Sequence, residues 1–388
     1  MSLAAYLDCA ATTPLDPAVA ALMSRLLTGA DSFGNPSSAT HHYGDRAREI
    51  VATARAQVAA AVGAADADIV WTSGATEANN LALFGITGYY ANQGRHIVTS
   101  RTEHRAVLDP CRELGRRGWR VTYLTPGEDG GIDPAQVEAA LQPDTVLVSI
   151  MHVNNEIGVI QDIGAIAALC ARHGGARLHV DAAQSVGKIA LDCTALGVDA
   201  LSLSAHKAYG PKGVGALVVP RARGLQLEAR QFGGGQERGL RAGTLATHQL
   251  AGMGAAFGIA ARDLPADAAR IAGLRELLWA GVAAVGGVTR NGAAGRSVPQ
   301  LLNVSFDGVE GESLMAAVAP RLALSSGSAC ASASAEPSYV LRALGRSDRL
   351  AEASLRFGLG RFTTAADIET AIEVVTAAVR RLRRIGGQ

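Results

Sequence analysis

Along the first two-thirds of the chain, apolar positions recur in two alternating rhythms. Residues 45–63, DRAREIVATARAQVAAAVG, are Ala-rich with helical spacing and end at a glycine, which predicts a helix. Residues 68–83, DIVWTSGATEANNLAL, open as a short apolar run, turn through a glycine and resume helical spacing: strand, turn, helix. The alternation then repeats. RHIVTS (95–100) and RVTYL (120–124) read as strands, and DPAQVEAAL (133–141) as a helix opened by Asp133 and Pro134. TVLVSIMHV (145–153) is a buried strand, and DIGAIAALCARHG (162–174) is an amphipathic helix closed by glycine. ARLHVD (176–181), DALSLSAHK (199–207) and GVGALVVP (213–220) are three further strands. Strands separated by helices imply βαβ units and a parallel sheet, and uniformly apolar runs such as TVLVSI suit strands covered on both faces.

This pattern sets a large α/β domain at about residues 16–258. Residues 253–282 then read as one long helical region or two successive helices. The remainder contains NVSFDG (303–308), a run of small residues around 325–334 and an amphipathic segment ending in RRLRR. It predicts a smaller α+β domain made of residues 1–15 and 259–388. The terminal basic run reads as compensation of a helix dipole on a solvated face.

Composition removes several classes of function. Lysine plus arginine number 36 against 35 acids, a net charge of +1, so nothing electrostatic favours nucleic acid or an anionic membrane as partner. No apolar stretch reaches membrane-spanning length, and the opening MSLAAYLDCAATTP lacks a basic n-region and a long apolar h-region. The five cysteines include no CxxC pair and no metal-ligand spacing, which fits free thiols in a reducing cytosol. The expectation is a cytoplasmic protein with no resident metal.

Four stretches can do chemistry. SGATEANN (73–80) lies between strand and helix, where backbone N–H groups and Thr76 either cap a helix or cradle an anion. In LHVDAAQSVGK (178–188), Asp181 ends a buried strand, as a cap or as partner to a cationic ring nitrogen. Gly187-Lys188 lacks the first glycine and trailing hydroxyl of a P-loop. In LSLSAHKAYGPKG (201–213), Lys207 follows an apolar strand and is flanked by Ser204 and His206, which suits Schiff-base chemistry beside a phosphate. Anion cradle, ring-nitrogen partner and lysine together are what a pyridoxal 5'-phosphate (PLP) enzyme contributes from its chain. Finally, SSGSACASAS (325–334) surrounds Cys330 with nothing large enough to bury it, whereas Cys9, Cys111, Cys170 and Cys193 read as core thiols.

Taken together the chain resembles the long-loop, NifS/IscS-like, PLP-dependent cysteine desulfurases. The resemblance rests on YLDCAATTP, FGNPSS, TSGATEANN, TEHRAVLD, MHVNNEIGVIQDI, HVDAAQSVGK, SAHKAYGPKG, GGGQERGLRAGT, NVSF, VEGESL, SSGSACASASAEPSYVLRALG and RFGLGRFTT, in that order along nearly the whole length. It implies PLP fold type I, aspartate-aminotransferase-like, with a mainly parallel seven-stranded sheet flanked by helices and a smaller α+β domain. It also implies a homodimer with active sites at the subunit interface. By position, Lys207 would bind PLP, Asp181 would partner the ring nitrogen, and His104 would stack on the ring. Gln184 would bond the ring oxygen, and Ala75, Thr76, Ser204 and His206 would hold the phosphate. Thr244 would reach the phosphate of the neighbouring subunit. Asn155 and Arg356 would orient the substrate, Arg356 by a two-pronged grip on its carboxylate. Cys330 would take the sulfur of L-cysteine as a persulfide, releasing L-alanine, and pass it to an acceptor such as an iron–sulfur scaffold, where it could transiently share a cluster. Relatives often carry an aromatic or polar residue where this chain has Cys9.

Three other readings compete. A selenocysteine lyase or small-amino-acid aminotransferase would keep Lys207 and Asp181 but has no use for Cys330. A silent scaffold would tolerate loss of Lys207, Asp181 or Cys330, and all three are present. A dinucleotide-binding oxidoreductase needs its glycines between a first strand and a helix, and GPKGVG is not so placed.

Overall fold

The computed structural model describes residues 4–326 and 336–387. A two-residue strand, β1 (Ala5–Tyr6), precedes the main sheet. That sheet is formed by β2 (Ile69–Thr72), β3 (His96–Ser100), β4 (Arg120–Leu124), β5 (Thr145–Ser149), β6 (Arg177–Asp181), β7 (Ala200–Ser204) and β8 (Gly215–Val218). Its seven strands run in the order β2-β8-β7-β6-β5-β3-β4. All neighbours are parallel except β8, which is antiparallel to both β2 and β7. The fold is therefore α/β with a mostly parallel central sheet.

The apolar strands work as their sequence requires. Ile69 and Trp71 join the core on one face of the sheet, and Val70 between them joins the core on the other. Helices cover both faces, so a run without polar alternation is the stable pattern. The predicted helix at 162–174 spans Ile163–His173, N-capped by Asp162 and closed by Gly174 at φ 77°. The helix expected over 45–63 starts earlier, at His42–Ala61, because His41 caps it through the N–H of Gly44.

Residues 247–283 form a single helix, Thr247–Ala283, which continues through Pro265. Its first half packs Leu250, Met253 and Phe257 against the main sheet. Its second half carries Ile271, Leu278 and Val282 into another core, with Leu7, Phe306 and Phe357. That core backs an antiparallel sheet of β12 (Ser325–Ser326), β13 (Ser354–Gly358), β10 (Leu301–Phe306) and β9 (Val288–Asn291). The start of the chain belongs here too, since β1 pairs parallel with β11 (Leu322–Ala323). No helix among the described residues is long and apolar enough to cross a membrane.

Candidate active site

The C-terminal ends of β2, β3, β5, β6 and β7 face the same edge of the main sheet, where open α/β folds gather function. A cavity of about 480 Å³ opens there, bordered on the far side by Arg356 of β13. Ten of the residues named from the sequence line it: Ala75, Thr76, His104, Asn155, Asp181, Gln184, Ser204, His206, Lys207 and Arg356. Thr244 does not line it and is exposed. Cys330 lies outside the described residues.

Asp181 ends β6 with both oxygens engaged. Asn79 Nδ2 donates to Oδ2 at 2.7 Å, and the N–H of Ala183 donates to Oδ1 at 2.9 Å. The two bonds fix the position of the side chain at the edge of the cavity.

Lys207 closes the single 3-10 turn Ala205–Lys207 that follows β7. Two residues on, Tyr209 adopts φ 62°, a left-handed conformation costly for an aromatic residue. Its surroundings hold it there: its N–H donates to Thr13 Oγ1 at 2.8 Å, and its hydroxyl accepts from the N–H of Arg361. Behind the lysine, the buried Lys188 ammonium donates to the carbonyl of Lys207 at 3.2 Å. Burial, then the charge of Lys207, push Lys188 down to about 7.

Backbone offers a place that could cradle an anion. Helix Ala75–Tyr89 has Gly74 at its N-cap, at φ 152°, and no side chain caps its first N–H groups. Those groups and the positive end of the helix dipole face the cavity. Gly215 permits this arrangement, because a Cβ there would stand 2.6 Å from the Cα of Gly74. Opposite, His206 Nδ1 meets Thr12 Oγ1 at 3.1 Å. Burial and the lysines at 207, 212 and 188 push its imidazole down to about 4.

His104 caps helix Arg105–Arg116 by accepting the N–H of Ala106 at Nδ1, 3.1 Å, which assigns its proton to Nε2. Burial, then Lys207, lower its pKa.

Several contributors escaped the sequence reading. Asn79 orients Asp181, Lys212 adds charge to the cradle, and Ala10, Ala11 and Thr12 bring the chain's start into the cavity. Glu77 also borders the cradle; burial opposes its charge, but Arg241 and the N–H of Ser73 hold its carboxyl below the usual range. The Arg241 pairing, at 2.8 Å, keeps that acid from opposing an anion. The TSGATEANN string held the signal for Asn79 and Glu77, but not which partner each would meet.

The aminotransferase class-V family matches residues 5–370. "Cysteine desulfurase IscS" of Proteus mirabilis is 55% identical over 383 residues, covering 99% of this chain and 94% of that protein. The chain belongs to the cysteine desulfurases of the aminotransferase class-V family. A solved structure described as a NifS-like protein superposes with a TM-score of 0.91 at 31% identity, covering 98% of this chain and all of the other. Another, described as SspA in complex with cysteine, superposes at 0.81 with 37% identity over 92% of this chain and 99% of its own.

The cofactor of this desulfurase is PLP, and its residues fit that group. Asn155 Oδ1, Gln184 Oε1 and Arg356 Nε are buried, border the cavity and have no partner among the described residues. Buried polar atoms of this kind call for a polar ligand. Gln184 carries one qualification, since its Nε2 donates to the carbonyl of Ala10 at 2.8 Å and Oε1 is the atom left over. Donation to a ring oxygen therefore requires the amide to turn over. The four described cysteines are buried, and burial pushes Cys9, Cys111 and Cys170 up to about 12 and Cys193 up to about 11, as suits core thiols.

Proposed function

We propose that this desulfurase takes sulfur from L-cysteine, releases L-alanine and holds the sulfur as a persulfide on Cys330 for delivery to an acceptor such as an iron–sulfur scaffold. The supporting observation is the convergence of Lys207, Asp181 and an uncapped helix N-terminus on one cavity. Arg356 borders the same cavity and is the cation for the substrate carboxylate. The active unit is a cytoplasmic homodimer, in which the exposed Thr244 completes the phosphate site of the other subunit.

Lys207 would hold the cofactor covalently, Asp181 would keep a proton on its ring nitrogen, and the N–H groups at Ala75 and Thr76, with Ser204 and His206, would hold its phosphate. Bound PLP supplies a covalent handle for the substrate amino group and a sink for the electrons of the Cα–H bond. Lys207 would take the Cα proton, and His104, neutral with its proton on Nε2, would carry protons within the cavity. Asn155 and Arg356 fix the substrate by its polar end. Cys330 attacks the substrate sulfur: an S–S bond forms, the C–S bond breaks, and its electron pair stays with the three-carbon fragment, which leaves as alanine. One thiol and one cysteine thus give one persulfide and one alanine, with no external oxidant.

Alanine released by the purified holoenzyme from L-cysteine, with reductant present, tests this reading. Lys207→Ala is expected to lower the rate by at least about 100-fold, as loss of a proton-transfer group does, and Asp181→Asn by at least about tenfold. Alanine release by Lys207→Ala at the wild-type rate would sink the reading.

A further inference from the structure

Arg356 is 1% exposed and sits in the middle of β13. Its Nη1 donates to the carbonyl of Asn155 at 3.0 Å. Its Nη2 donates twice, to Asp8 Oδ1 at 2.8 Å and to Ser325 Oγ at 3.1 Å. Nε has no partner among the described residues. Ser325 lies directly opposite Arg356 in the β12–β13 ladder, and its hydroxyl donates to the Asp8 carboxylate, 3.0 Å from each oxygen. Asp8 is held by backbone as well: the N–H of Gly358 donates to the carbonyl of Leu7 and the N–H of Cys9 to the carbonyl of Gly358.

A guanidinium has five N–H donors in a plane and offers a carboxylate two forks, Nε with Nη2 or Nη1 with Nη2. Both forks use an Nη2 hydrogen, and Nη2 already donates to Asp8 and to Ser325. A two-pronged grip therefore competes with Asp8 and Ser325 for Nη2. The Asp8 bond is shorter and joins opposite charges, whereas Ser325 is a neutral acceptor. Ser325 also keeps its bond to Asp8 if it releases Arg356, so its displacement strands no buried polar atom.

We propose that the substrate carboxylate exchanges with the Ser325 hydroxyl on Arg356, so that Ser325 sets the affinity for the carboxylate while Asp8 holds the guanidinium in place. The proposal rests on Arg356 being the carboxylate cation. Ser325 stands five positions before Cys330 in the sequence, so the residue that yields to substrate belongs to the stretch that supplies the sulfur acceptor.

The test is equilibrium binding of L-alanine to the holoenzyme, read from the cofactor's absorbance. Ser325→Ala removes the competitor and is expected to tighten L-alanine binding by about tenfold, the lower end of the worth of one hydrogen bond to a charged group. Ser325→Thr keeps the hydroxyl and should stay at the wild-type affinity. Ethylamine, which has the amino group and no carboxylate, should bind wild type and Ser325→Ala alike, whereas a general loosening of the site would move both ligands. In turnover, KM for L-cysteine should fall in Ser325→Ala without a rise in kcat. Unchanged or weaker L-alanine binding in Ser325→Ala, with Arg356→Gln losing it, would overturn the exchange and leave Arg356 as the carboxylate cation. Wild-type binding by Arg356→Gln would overturn that assignment and the exchange together.

Discussion

Glu156 is an acid whose chemistry comes from its neighbours. It follows Asn155, is fully enclosed, and accepts the hydroxyl proton of Ser338 at Oε2. Burial raises its pKa to about 7, against the lowering effects of that hydrogen bond and of Arg356. Because the folded pKa lies above the unfolded one, the stability Glu156 contributes is full below about 4.5 and is lost as pH rises through about 7. Glu156→Gln removes this dependence while keeping an acceptor for Ser338. The difference in unfolding free energy between Glu156→Gln and wild type should grow in the variant's favour from pH 5 to pH 8, by up to the order of 3 kcal/mol. Denaturant unfolding at several pH values measures it, and a difference constant with pH would contradict the assignment. MHVNNEIGVI gave no sign of this, because Ser338 is 182 residues away. Asp181, Lys207 and the cradle were legible because each sits where a strand ends, a place that apolar periodicity marks. The Asp8–Ser325–Arg356 cluster was not, since its members come from three distant stretches and none ends a strand of the main sheet.

At the scale of elements, periodicity located the seven strands of the main sheet but not their directions. GVGALVVP reads the same whichever way it runs, and only the structure places β8 antiparallel between β2 and β7. That placement has a consequence for the cradle. It brings Gly215, at the start of β8, against Gly74, where a Cβ would stand 2.4 Å from the carbonyl oxygen of Leu203 and 2.6 Å from the Cα of Gly74. Backbone cannot yield as a flexible side chain can, so Gly215→Ala must push the helix N-terminus away from β7. The expected result is a loss of about 1–3 kcal/mol of stability and weaker retention of PLP on dialysis. Full retention with unchanged melting would show that the close approach does not shape the cradle. The two-residue strands β1, β11 and β12 were not foreseen, because two residues carry no period.

Across the whole molecule, one charged cluster ties the start of the chain to its last third. Arg361 donates to Asp16 at 3.0 Å and Asp267 at 2.8 Å, and its guanidinium lies over the Tyr209 ring at 4.7 Å. Asp16 opens the first long helix, Tyr209 follows the lysine turn, and Asp267 lies on the helix that serves both cores. The lysine turn and the segment that follows β13 are thus joined by ion pairs and ring stacking. In the proposed function the active-site cavity delivers the sulfur of L-cysteine to Cys330. The most direct measurement is to mix holoenzyme with L-cysteine without reductant, trap thiols by alkylation, and weigh the peptide containing residue 330 while counting alanine. One added sulfur atom is expected on that peptide, with alanine in equal amount, and neither in Cys330→Ser. Alanine formed by Cys330→Ser at the wild-type rate, with the sulfur released as free sulfide, would contradict that function.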